Sequence, residues 1–177
     1  MKEINKDIIG WIKIEDTNIN YPVIKSNEIY YLKHSYDKKY NSNGSIFTLD
    51  LKPFESQLTT IYGHNMQNGI MFSELSKYLD EEFFYTHINF EIYTPEHNYK
   101  ATVFSSYSID VNVEENNIKE LDFCKEIEYY KKASEYNVGD IGNVERVVKL
   151  CTCSYLNTTM RPTNKRYFII AKIEIID

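Results

Sequence analysis

Three residues in this sequence, Cys153, Arg166 and His64, have the types and settings that nucleophilic chemistry requires. Cys153 ends an apolar run that is typical of a buried strand, and Arg166 begins another after about a dozen residues. A hairpin-like connection would place the end of the first strand beside the start of the second, at the rim of a sheet. A cationic neighbour lowers the pKa of a thiol and stabilises an oxyanion, so this pair is the first candidate for catalysis.

His64 is the candidate base, because it follows a glycine at the end of a predicted strand, where loops often carry function. The alternative for His64 is a turn histidine that bonds to the backbone, and the alternative for Cys153 is a small buried hydrophobe. Cys151 shares a face with Cys153 on a regular strand and is a second candidate nucleophile, although it lies deeper. A metal site made of His64, Cys151 and Cys153 is conceivable, but the spacing of a structural zinc motif is missing. We therefore predict no metal and no cofactor.

The composition is that of an ordinary globular protein whose main partner is not nucleic acid. The chain has 177 residues, of which 42% are hydrophobic and 26% charged. Its net charge of -6 provides no basic stripe to neutralise phosphates. The sequence has no apolar run of about 18 residues and no signal-peptide pattern. We expect a single domain over residues 1–177, either cytosolic or exported with its leader removed.

The pattern of apolar and β-branched residues predicts about eight largely contiguous strands and two or three helices. This order favours a mainly β fold, a closed or nearly closed β-barrel with peripheral helices. A short helix is expected over residues 4–9, and helical spacing predicts one or two helices over residues 71–85, broken at Asp80. A further amphipathic helix is predicted from an apolar stripe that would place Cys124 in the core: Ile118, Leu121, Cys124, Ile127 and Tyr130.

Taken together, these segments resemble the sortase family. Residues 149–153 read K-L-C-T-C, where the family has a T-L-x-T-C run at the end of the nucleophile strand. Residues 62–66 read Y-G-H-N-M around the histidine, and residues 165–172 read K-R-Y-F-I-I-A-K after the arginine. The segment between Ile109 and Val144 is similar to the helical insertion of class B sortases. Lys149 replaces the usual first threonine and is expected to face away from the chemistry.

The resemblance implies a closed eight-stranded sortase-like β-barrel with an N-terminal helix and a long helix inserted before the cysteine strand. It also implies a cysteine transpeptidase on the outer face of a Gram-positive cell membrane, with an N-terminal membrane anchor that we expect to be missing from this sequence. Such an enzyme cleaves a C-terminal sorting signal of the NPxTN or NPxTG kind after threonine. A thioacyl intermediate then passes the surface protein to an amine of peptidoglycan.

The resemblance assigns Cys153 as the nucleophile, His64 as the acid and base, and Arg166 as the donor to the oxyanion. By position, four residues are expected to contact the peptide: Leu32, Tyr62, Thr152 and Ser154. The segment 111–117 would form a wall of the groove. Two alternatives use the same fold: a cysteine hydrolase with water as its only acceptor, and a catalytically silent barrel that binds peptides or wall polymer.

Overall fold

The structure, a computed structural model, describes residues 4–153 and 163–176. Its strands are β1 (Ile8–Lys13), β2 (Asn20–Lys25), β3 (Ile46–Thr48), β4 (Leu58–Tyr62), β5 (Asn89–Tyr93), β6 (Asn98–Asp110), β7 (Val147–Cys153) and β8 (Lys165–Ile175). They form a closed barrel in which neighbours follow the order β1-β2-β3-β4-β7-β8-β6-β5, with β5 pairing back to β1. The predicted eight-stranded β-barrel is therefore confirmed.

The helical segments lie between the strands in the order of the chain. They are 3-10 helices at Ile29–Leu32 and Ser73–Leu79, and α-helices α1 (Glu81–Thr86), α2 (Val111–Ile118) and α3 (Phe123–Ala133). The break expected at Asp80 is confirmed, because this residue ends the second 3-10 helix and caps α1. No helix in the described part of the chain is both long and apolar enough to cross a membrane.

The short helix predicted over residues 4–9 is wrong. Among the described residues before β1, positions 4–7 form turns. The buried Asn5 accepts a hydrogen bond from the backbone N–H of Asp7 at 2.9 Å, and this local turn competes with a helix. From Ile8 onward, alternate residues are buried, which is the period of a strand.

The inserted helical segment is present, but it consists of α2 and α3 and not of one long helix. The side chain of Asp122 accepts a hydrogen bond from the backbone N–H of Lys125 at 3.0 Å and caps a new helix. The apolar stripe is interrupted at this cap, so its first members lie outside α3. Cys124, in the first turn of α3, is exposed, and its predicted place in the core is wrong.

β7 is buried on both faces, which explains its nearly continuous apolar sequence. Val148 and Leu150 belong to the cluster inside the barrel, to which all eight strands contribute. Val147 and Cys151 belong to a second cluster, formed with β6, β8 and α3 on the outside of the barrel. This arrangement fixes which residues of β7 face the insertion.

We predict that the cap of α1 contributes measurably to stability. The carboxylate of Asp80 accepts a hydrogen bond from the backbone N–H of Phe83 at 2.9 Å. Asp80→Ala should lower the free energy of unfolding by about 1 kcal/mol, whereas Asp80→Asn, which keeps a capping oxygen, should retain most of it. Urea denaturation of the three proteins measures both values. Equal losses in the two variants would contradict the cap as the cause.

Candidate active site

The ends of three neighbouring strands bring the candidate catalytic residues to one edge of the barrel. β4 and β7 are parallel, with Tyr62 opposite Cys151, and the backbone N–H of Gly63 donates to the carbonyl of Cys151 at 3.2 Å. β8 runs antiparallel to β7, with Cys153 opposite Arg166. The predicted pairing of the cysteine strand with the arginine strand is therefore confirmed. His64 follows β4 by two residues at this same edge.

His64 is held by two backbone groups. Its Nε2 lies 2.7 Å from the carbonyl oxygen of Leu32, and its own carbonyl accepts a hydrogen bond from the N–H of Phe72 at 2.9 Å. Since a carbonyl can only accept, Nε2 carries the proton in this contact. The neutral ring therefore has an unprotonated Nδ1 that can accept a proton. His64 is thus held through Nε2 by the backbone and can act as a general base through Nδ1.

Gly63 lets the backbone pass close to two core side chains just before His64. A Cβ atom at this position would lie 2.5 Å from Cδ1 of Ile46 and 2.7 Å from the ring of Phe72. Both neighbours are fully buried, so neither can move without disturbing the barrel core. The glycine is required for close packing at the carboxyl end of β4.

The guanidinium of Arg166 is anchored by main-chain oxygens. Its Nη1 donates to the carbonyls of Thr163 and Lys165, each at 2.9 Å. The Nε and Nη2 donors of the planar guanidinium point in other directions and take no part in these two hydrogen bonds. Arg166 is half-buried, so a ligand at this edge can reach it.

Comparison with known proteins identifies the family. The chain matches the Sortase domain family over residues 12–174. This chain belongs to the sortase family. It is 34% identical over 160 residues to sortase B of Listeria monocytogenes, covering 86% of this chain and 65% of the relative. It is 31% identical over 186 aligned positions to sortase B of Staphylococcus aureus, covering 98% of this chain and 72% of the relative.

Solved structures of sortase B share the fold. The Clostridium perfringens enzyme is 29% identical, with a TM-score of 0.86 and coverage of 99% of this chain and 97% of that chain. A substrate complex of the Staphylococcus aureus enzyme is 30% identical, with a TM-score of 0.85 and coverage of 99% and 83%. Sequence and structure therefore agree on the sortase family.

The four predicted substrate-contacting residues of this sortase have different settings. Leu32 offers its carbonyl to His64, and Tyr62 is half-buried beside the ring of Phe47, with centroids 5.7 Å apart. Thr152 is buried, and its hydroxyl oxygen has no hydrogen-bond partner in the described part of the chain. Ser154 lies outside the described residues.

The buried ion pair of Lys149 was not predicted from the sequence. The prediction was only that this side chain faces away from the candidate catalytic residues. The side chain is buried and pairs with Glu114 of α2 at 2.5 Å. A lysine in the middle of an apolar strand was the available signal, because lysine is seldom buried without a partner. Its partner could not be read from the sequence, since Glu114 is 35 positions away.

We predict that Gly63→Ala destabilises this sortase by about 1–3 kcal/mol, because the added methyl group overpacks the contact with Ile46 and Phe72. Thermal and urea unfolding measure the loss. The matched test is the double variant Gly63→Ala/Ile46→Val, which removes the nearer methyl group and should recover part of the loss. If the double variant loses as much unfolding free energy as the two single variants added together, a clash between the new methyl group and Ile46 is not the cause.

We predict a contribution of Tyr62 to alkaline unfolding. Burial, together with the nearby Cys151, raises the pKa of the Tyr62 phenol to about 12 from its ordinary value of 10.0. The unfolded chain therefore releases this proton first, so stability is intact below pH 10 and falls between about pH 10 and 12. Tyr62→Phe should make this fall shallower in urea titrations, and Tyr40→Phe, at an exposed position, should leave it unchanged. Identical slopes in wild type and Tyr62→Phe would refute the prediction.

Proposed function

We propose that residues 1–177 form one catalytic domain that acts as a transpeptidase on surface proteins at the cell-wall side of the membrane. The substrate is a C-terminal sorting signal of the NPxTN or NPxTG kind, cleaved after threonine, and the acceptor is an amine of peptidoglycan. One observation carries this proposal: the strand register sets the backbone of Cys153 opposite Arg166 at the edge where His64 follows β4. A similar solved structure of sortase B, 30% identical to this chain, is a complex with triglycine, which supports a glycine-type amine as the acceptor.

The reaction has two halves with the same three residues. The thiolate of Cys153 attacks the carbonyl carbon of the substrate threonine, and the C–N bond breaks as His64, present as the imidazolium, gives a proton to the leaving amine. Arg166 donates to the oxygen that becomes negative in each tetrahedral intermediate. The acceptor amine then attacks the thioester and loses a proton to His64, and the C–S bond breaks to restore the thiolate.

We propose that the peptide lies in a groove near the carboxyl ends of β4 and β7. Tyr62 and Leu32 line one side, and Thr152 and Ser154 flank the nucleophile in the sequence. Thr152 is buried, so its place in the proposal rests on its position next to Cys153 at the end of β7.

The proposal predicts both cleavage and ligation. A fluorogenic NPxTG-type peptide should be cleaved after threonine, and added triglycine should appear in a ligated product detected by mass spectrometry. Cys153→Ala should abolish both products, whereas Cys151→Ala is the matched thiol control and should retain them, because Cys151 is buried in the outer cluster.

Other outcomes point to the rival functions. Cleavage without ligation at saturating triglycine indicates a hydrolase. Activity that survives in Cys153→Ala and disappears in Cys151→Ala assigns the nucleophile to Cys151. The absence of cleavage with any related peptide favours the silent binding barrel.

A further inference from the structure

A buried ion pair connects the helical insertion to the strand that carries the nucleophile. Nζ of Lys149 lies 2.5 Å from Oε1 of Glu114, and the two side chains are 6% and 2% exposed. The hydroxyl of Tyr107 donates to the same carboxylate oxygen at 2.6 Å, and that of Tyr129 donates to Oε2 at 2.8 Å. We call these four residues the Glu114 cluster.

Aromatic rings complete the surroundings of the ammonium group. Nζ of Lys149 is 4.4 Å from the ring centroid of Phe168 and 4.9 Å from that of Tyr130, both within the range of cation–π attraction. The hydroxyl of Tyr130 in turn donates to Glu126. The Glu114 cluster therefore joins α2, α3, β6 and β7 in one largely buried region.

Stability alone does not explain this cluster. Removing one partner of a buried pair is strongly destabilising, yet replacing both with neutral groups of similar volume is often harmless. Such a pair fixes the position of a helix. A carboxylate that accepts hydrogen bonds from three donors keeps all three only when the helix that carries it is in one position. The helix in question is α2, since Glu114 is its single buried residue.

α2 lies beside the candidate active site. Ile109 of β6 is opposite Arg166, and the backbone N–H of Val111, the first residue of α2, donates to the carbonyl of Asn164 at 3.1 Å. Glu115, next to Glu114, is near enough to Tyr62 to contribute to the raised pKa of its phenol. One end of α2 is thus attached next to Arg166, and the middle of the helix lies near the residue proposed to line the groove.

We propose that Glu114 and Lys149 are positioning residues that hold α2 as a wall of the groove for the sorting peptide. This inference rests on the proposed function for its substrate, but the positioning itself can be measured without substrate. The cluster acts on peptide binding and not on bond breaking, because Glu114 and Lys149 are buried where α2 packs on β7. Its loss should therefore raise KM and leave kcat nearly unchanged.

The test uses Glu114→Gln/Lys149→Met, which removes both charges and keeps the volume and an acceptor for the tyrosine hydroxyls. Lys132→Met, at an exposed position of α3, is the matched control. Hydrogen exchange of the α2 amides should be about tenfold faster in the double variant, while amides of β6 and β8 stay protected. KM for the NPxTG-type peptide should rise about five- to tenfold, with kcat within about twofold of wild type.

Each measurement can overturn the inference separately from the proposed function. A positioning role is refuted if the double variant leaves hydrogen exchange of the α2 amides unchanged, or if exchange becomes faster throughout the barrel. It is also refuted if the α2 amides exchange faster but KM does not change. A wild type that cleaves no sorting peptide refutes the proposed function, and the exchange of α2 then decides whether the cluster positions the helix. The single variant Lys149→Met should be much less stable than the double variant, because it leaves Glu114 charged and buried.

Discussion

The register of β7 between β4 and β8 is the constraint on which the rest of the structure depends. Side chains alternate along a strand, so a slip of one residue would exchange the two buried faces of β7. Val148 and Leu150 would leave the barrel interior, and Lys149 would enter it without its carboxylate partner. Because both faces are buried, the correct register is strongly favoured. The same register aligns Cys153 with Arg166, so the packing of the core also sets the geometry of the candidate active site.

Main-chain carbonyls hold two of the candidate catalytic side chains. The imidazole of His64 bonds to the carbonyl of Leu32, and the guanidinium of Arg166 bonds to those of Thr163 and Lys165. Such anchors depend on the path of the backbone and not on the identity of the neighbouring side chains. The conspicuous exception is the Glu114 cluster, in which side chains bond to side chains across four elements.

Local patterns in the sequence predicted the barrel and the edge at which the candidate residues meet, because strand period, turn residues and the break at Asp80 are local properties. Where prediction failed, a specific hydrogen bond prevailed over the periodicity. Asn5 forms a turn before β1, and Asp122 begins a new helix in the middle of an apolar stripe. The partner of Lys149 was beyond prediction for a different reason, since the pairing of distant residues depends on the tertiary fold. The roles of Cys153, His64 and Arg166 in catalysis stay predictions.

The exposed position of Cys124 on α3 affects how the thiols of this protein must be counted. An alkylating reagent reaches Cys124 in the folded protein whether or not the active site is intact, whereas the buried Cys151 is shielded by the outer cluster. The number of thiols labelled per folded protein therefore includes Cys124 as well as any reactive thiol of the active site. Cys124→Ser provides the background in which one equivalent of reagent can be assigned to one reactive site.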